Sequence, residues 1–153
     1  MDTRLPSLFL RVAGALLLWA AGAIHLWLYF DYFSTVHVVG TLFLINAAAS
    51  FVIGSTLMLT SAAWALGAGI AYAAGTLGGF FLSVYHGIFG YVERLRGPWQ
   101  EAAGGVELAA IVVLLVLALV KARQTRAAVA NRSGVGPVRK TEPGRLERGG
   151  STT

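Results

Sequence analysis

Four apolar runs separated by short polar breaks set the pattern of this chain. From Leu8 to Phe30 only Arg11 and His25 interrupt the hydrophobic side chains. A second run covers Val36 to Thr60 and a third Ala62 to Gly90. The fourth covers Ala102 to Val120, and its final stretch, Ala109 to Val120, has no polar side chain. At about 1.5 Å of helical rise per residue, each run can cross a hydrocarbon layer about 30 Å thick. The pattern therefore predicts transmembrane helices over residues 8–30, 36–60, 62–90 and 102–120. The breaks are Asp31 to Thr35, a turn around Ser61, and Tyr91 to Gln100, where Gly97-Pro98 stops a helix. Connections this short set each helix antiparallel to the next. The expected fold is an all-α membrane protein, an antiparallel four-helix transmembrane bundle. The small residues Ala20 to Ala23 would suit a signal peptidase, but the apolar run continues past them, so the first span is expected to stay uncleaved.

Composition agrees with lipid as the solvent. Hydrophobic residues make up 56% of the 153 and charged ones 12%, against roughly 25% charged in ordinary soluble domains. With no cysteine, disulfides and thiolate metal sites are excluded. The net charge of +5 does not point to nucleic acid, because most of the basic residues sit in the last stretch of chain. Residues 1–121 read as the transmembrane domain and 122–153 as a disordered basic tail. That tail is rich in Gly, Arg, Ser, Thr and Pro and has too little apolar surface to offset its ordering entropy. A short helical extension to Val129 is compatible with it, as is a loose hold on anionic lipid. Of the twelve Lys and Arg, only Arg94 and Arg96 fall on the side of the first and third connections. The positive-inside rule then puts both termini in the cytoplasm.

Helices in lipid associate where small residues let backbones approach. Gly67, Ala71, Gly75 and Gly79 recur at four-residue spacing on the third span, and Gly14, Leu18, Ala21 and Gly22 make a shorter seam on the first. Asn46, Ser50 and Gly54 form a polar stripe on the second span that should face protein. Such seams suit packing within one bundle and self-association equally.

Ionisable groups inside the spans carry what chemistry the chain offers. His25, His86 and Glu107 come from three helices at one expected depth, each on a face with small residues, and His37 lies nearer the surface. Buried groups of this kind normally face the bundle interior and find partners. Imidazole and carboxylate from His25, His86 and Glu107 suit a divalent metal. His25 and His86 alone suit a b-type haem. Glu107 beside an imidazole suits proton transfer. An interhelical hydrogen bond with no cofactor accounts for the same residues. No local signature such as HExxH or CxxCH selects among these. The aromatic residues around the stretch from His25 to His37 read as an interfacial belt.

His25, Trp27, Tyr29, Phe30 and Tyr32, followed by the Val36–Ala47 segment with its Gly-Thr-Leu-Phe-Leu-Ile-Asn-Ala ending, resemble a pattern in small four-span membrane proteins of unknown function from high-GC Gram-positive bacteria. Those proteins often have a proline before the glycine, where this chain has Val-His-Val-Val before Gly40. The resemblance implies a plasma-membrane location and no known activity. The first functional reading is a non-catalytic structural or accessory component that associates with lipid, with other membrane proteins or with itself. A haem or metal redox protein and a proton or solute transport subunit are the alternatives. Catalysis outside the membrane is not expected, because the loops are too short to build a site.

Overall fold

The computed structural model describes residues 4–92 and 98–132. Four helices follow one another: α1, Arg4–Leu28; α2, His37–Leu59; α3, Ala63–Tyr85; and α4, Pro98–Arg132. Each is long and apolar enough to cross a membrane. The chain is an all-α bundle, as the apolar pattern predicts. α1 packs on α2 and α4, and α3 packs on α4 and, less extensively, on α2. We call the end with the α1–α2 and α3–α4 connections the hairpin end. The opposite one, with the α2–α3 turn, is the terminal end.

Helix boundaries differ from expectation on three of the four helices. α1 begins at Arg4 rather than Leu8. α3 ends at Tyr85, not Gly90, because the next residues make a tight reversal. Ile88 and Tyr91 exchange both backbone hydrogen bonds, at 2.7 and 2.9 Å, and Phe89 and Gly90 between them have φ of 51° and 79°. Positive φ at both central positions closes a two-residue hairpin and cannot continue a helix. α4 opens at Pro98, whose missing N–H costs nothing in a first turn, and runs to Arg132. Residues 122–132 of the basic tail are therefore helical, three residues beyond the extension to Val129 that the sequence allows. The rest of that tail and the loop cations Arg94 and Arg96 lie outside the described residues.

Charge positions show how the bundle fits a bilayer. Arg11 and Asp31 stand twenty residues apart along α1 and its extension, and Glu101 and Lys121 stand twenty apart along α4. Each interval rises about 30 Å, the thickness of a hydrocarbon core. Within both intervals Glu107 is the only Asp, Glu, Lys or Arg, and α2 and α3 have none.

The core is built from small residues and leucines. Ala15, Leu18, Leu57, Ala65, Leu66, Ala73, Ala110, Leu114 and Leu117 form one buried cluster toward the terminal half. On α1 the expected seam holds: Gly14, Leu18, Ala21 and Gly22 are all buried. Opposite it, Ser50 on α2 donates its hydroxyl to the Leu18 carbonyl. A Cβ at Gly54 would lie 2.6 Å from Trp19 Cδ1, so the polar stripe of α2 does face protein.

The expected seam of α3 does not pack on another helix of this chain. Nothing lies within 4 Å of a Cβ built on Gly67, Gly75 or Gly79. The buried face of α3 is Ala65, Leu66, Gly69 and Ala73 instead, two positions along and so on nearly the opposite side of the helix.

The hairpin end is closed by aromatic residues. α1 passes into a π-helical turn over Tyr29–Phe33. In α register five residues rotate about 140°, but the wider turn returns Phe33 to the buried side of Leu28. Phe33 then stacks on Phe43, with ring centroids 4.3 Å apart and planes 22° apart. Gly40 sits against the Phe33 carbonyl, where any side chain would collide.

Candidate functional site

α1 brings His25 to the bundle interior because it continues the buried positions Leu18, Ala21 and Gly22 at three- and four-residue spacing. α4 brings Glu107 inward on the face of Gln100, Ala103, Ala110 and Leu114. The two meet: His25 Nε2 lies 3.5 Å from Glu107 Oε1, and Glu107 is only 2% exposed. Six residues separate His25 from Asp31 and Glu107 from Glu101, so the pair lies roughly 9 Å inside the hydrocarbon layer.

The imidazole is oriented by its own helix. His25 Nδ1 is 2.8 Å from the Ala21 carbonyl oxygen. A carbonyl only accepts, so Nδ1 carries a hydrogen and Nε2 faces the carboxyl group. One further proton, placed on either group, leaves the pair neutral as a whole. Neutrality matters here, since an isolated charge in lipid is costly. At 3.5 Å the contact is longer than a well-formed hydrogen bond, and the carboxyl group is held loosely. Its other oxygen, Oε2, is buried without a hydrogen-bond partner among the described residues, as is Gln100 Oε1.

Both residues line a cavity of about 430 Å³ between α2, α3 and α4, with His25 and Leu28 of α1 at its inner wall. Tyr72, Thr76 and Asn46 add polar groups, and Val39, Leu42, Phe43, Ile45 and Phe80 line the rest with hydrocarbon or aromatic surface. The Tyr72 hydroxyl donates to the Asn46 carbonyl oxygen at 3.1 Å and ties α3 to α2. The Thr76 hydroxyl donates to its own helix, at Tyr72 O and Ala73 O, and stands beside the Glu107 carboxyl group. Phe43 covers the imidazole from the hairpin side, with centroids 5.2 Å apart. Toward lipid the wall is thin. Leu42 and Ile45 are 43% and 59% exposed, and Ala71 and Gly75 of the unpacked α3 seam line the cavity opposite them. The cavity thus opens sideways between α2 and α3.

Only two of the three expected ligands come together. His86 is exposed, follows the last residue of α3 and does not line the cavity. The expected span to Gly90 would have kept it in the helix, and the reversal after Tyr85 removes it. The proposed haem pair, His25 with His86, and the three-residue metal set are therefore not assembled. Among the described residues no group of three His, Asp or Glu side chains could hold a metal ion. His37 is exposed at the start of α2, and Asn46 serves the cavity as well as the packing of α2. Gln100, Tyr72 and Thr76 were not singled out from sequence. The polar break from Tyr91 to Gln100 puts Gln100 in a loop, although its spacing to Ala103 and Glu107 marks one helical face. Tyr72 and Thr76 are polar side chains in mid-span and carried that signal themselves.

The fold and site define a small polytopic membrane protein with a polar-floored cavity inside the hydrocarbon layer. Comparison with protein-family models, with curated proteins and with solved structures finds no match to the chain.

Proposed function

We propose that this protein is a non-catalytic membrane protein that binds a small lipid-soluble molecule carrying a hydrogen-bond donor. One observation carries the reading: a buried carboxyl group, Glu107, with one oxygen lacking a hydrogen-bond partner among the described residues, stands in the wall of an otherwise largely apolar cavity that opens toward lipid. A volume of about 430 Å³ falls within the range of small-molecule sites. Glu107 Oε2 and Gln100 Oε1, buried beside the cavity, are acceptors, and a small turn of either side chain would offer them to a hydroxyl or amine head. Its apolar body would lie between α2 and α3 and enter from the bilayer. Location in the plasma membrane with both termini cytoplasmic accords with the resemblance noted above and with the basic terminal end.

The test compares 1-decanol with decane on the purified full chain in detergent. Decanol should raise the melting temperature and decane should raise it much less, with the difference lost in Glu107→Leu. Equal responses to the two probes would refute the reading.

An accessory role has its own support. The α3 face of Gly67, Ala71, Gly75 and Gly79 is unpacked within the chain, which suits a helix of a partner or second copy. Cross-linking in membranes from a cysteine introduced at Gly67 would capture such a helix, and capture of lipid alone would dismiss it. Transport through one chain would require the core of Leu18, Leu57 and Leu114 to part, because it fills the bundle between the cavity and the terminal end.

A further inference from the structure

A second pocket lies at the terminal end, and nothing in the ligand reading above uses it. It has a volume of about 190 Å³ and is lined by Ser7, Leu8 and Arg11 of α1, Ser61 of the α2–α3 turn, and Leu117 and Lys121 of α4. We propose that it holds the phosphate of an anionic phospholipid, with the two cations on the phosphate.

Depth is the first support. Arg11 and Lys121 bound the long intervals of α1 and α4, in which Glu107 is the only Asp, Glu, Lys or Arg, and stand about 30 Å from Asp31 and Glu101. They therefore mark one edge of the hydrocarbon layer, where the phosphates of one leaflet lie. Buried Leu117 walls the pocket on the membrane side, and Leu8, 48% exposed, lies one turn farther out than Arg11.

Charge is the second. Arg11 is half-buried, and its Nε is buried without a hydrogen-bond partner among the described residues. The Nε end of the guanidinium is thus closed to water. Lys121 donates to the Ser61 carbonyl, which fixes one cation at the pocket and leaves it other N–H groups to donate. The described acidic residues, Asp31, Glu101 and Glu107, all lie on the hairpin side, so no described carboxylate neutralises the two cations. A planar guanidinium matches two phosphate oxygens, and an ammonium adds a point charge. Basic pockets between helices at the membrane edge bind anionic headgroups in this way. A zwitterionic choline headgroup would bring a third cation to the same place and is disfavoured. The helical extension of α4 adds Arg123, Arg126 and Arg132 beyond the pocket. Those exposed cations attract an anionic leaflet diffusely, and the pocket selects one lipid from it.

Native mass spectrometry of the full chain with phosphatidylglycerol and phosphatidylcholine tests this. At about fivefold per cation, the two cations should give roughly a thirtyfold preference for phosphatidylglycerol. Arg11→Gln and Lys121→Gln should each lose about fivefold of it, and Arg126→Gln, on the exposed extension, should retain it. Arg11→Lys, which keeps the charge, should hold more of the preference than Arg11→Gln. Melting curves in detergent without lipid establish that each variant is folded before its lipid binding is read. Equal affinity for the two lipids would overturn the proposal, as would an Arg126→Gln loss as large as that of Arg11→Gln. Inorganic phosphate that displaces phosphatidylglycerol at equal concentration would overturn it too, because the site would then read a free anion rather than a lipid.

Discussion

Adding one methyl group at different glycines should give effects that split by face, and the structure sets their size. A Cβ at Gly54 would stand 2.6 Å and 2.7 Å from Trp19 Cδ1 and Nε1 and 3.2 Å from the Ala15 carbonyl oxygen. The indole is rigid and the carbonyl belongs to α1 itself, so neither can yield by a rotamer change. Overpacking of this kind costs about 1–3 kcal/mol. The gain from replacing glycine in a helix offsets at most about 0.5–1 kcal/mol. The offset shrinks where the unfolded chain stays helical in detergent. Gly54→Ala should therefore destabilise the bundle by about 1–2 kcal/mol, roughly a tenfold shift in the unfolding equilibrium for each 1.4 kcal/mol. Gly67→Ala, Gly75→Ala and Gly79→Ala meet nothing within 4 Å and should stay within about 0.5 kcal/mol of the parent. Titration from dodecyl maltoside into sodium dodecyl sulfate, followed by tryptophan fluorescence, measures all four. If the α3 variants lose as much as Gly54→Ala, that seam is packed in the native state and the open side of the cavity is misassigned. Dependence of the loss on protein concentration would then identify a second copy of the chain as what covers it.

Three further outcomes can be read in the same titration. His25→Ala and Glu107→Leu should couple by about 1 kcal/mol in a double-mutant cycle; additive effects would mean that the 3.5 Å contact contributes nothing. Tyr72→Phe removes the 3.1 Å bond to the Asn46 carbonyl and should cost about 0.6–1 kcal/mol; no loss would show that α2 and α3 are held by packing alone. Phe33→Ala, at a side chain 1% exposed, should cost about 3 kcal/mol, near the low end for a buried ring. Phe30→Ala, at 69% exposure, should cost far less, and equal losses would contradict the buried placement of Phe33.

Much of the fold was legible because lipid enforces a simple code. Every backbone polar group in a span must be paired internally, so an uninterrupted apolar run has few structures open to it. The ends were harder. Nothing in the run from Ala62 to Gly90 changes in hydrophobicity at Tyr85. The helix stops there because Gly87, Phe89 and Gly90 adopt positive φ, and one of those three is not glycine. That local reversal decided the fate of His86, and with it the haem and metal readings. The α3 seam failed for a different reason. Small residues occupy both faces of that helix, Ala65, Gly69 and Ala73 on one and Gly67, Ala71, Gly75 and Gly79 on the other. Spacing alone could not say which face meets α4.

The pairing of His25 with Glu107 was legible, and the reason bears on what the cavity is for. A carboxyl group this far inside lipid is costly on its own. If helix pairing were its only role, the contact should be short and both oxygens satisfied, as buried polar groups generally are. Instead Oε1 stands 3.5 Å from Nε2, and Oε2 and Gln100 Oε1 have no partner among the described residues. Phe43, stacked on Phe33, covers His25 on one side of this chamber, and the leucine core lies toward the terminal end. The side left open is the thin wall between α2 and α3, which faces hydrocarbon. A polar floor beside a wall that faces hydrocarbon suits an amphiphile better than an ion. The bundle therefore offers two sites of opposite chemistry, acceptors for a donor-bearing molecule within the layer and cations for a phosphate at its edge. Fourteen residues separate them on both α1, from Arg11 to His25, and α4, from Glu107 to Lys121, about 21 Å at helical rise. With Leu18, Leu57 and Leu114 packed between them, the two sites should bind their ligands independently.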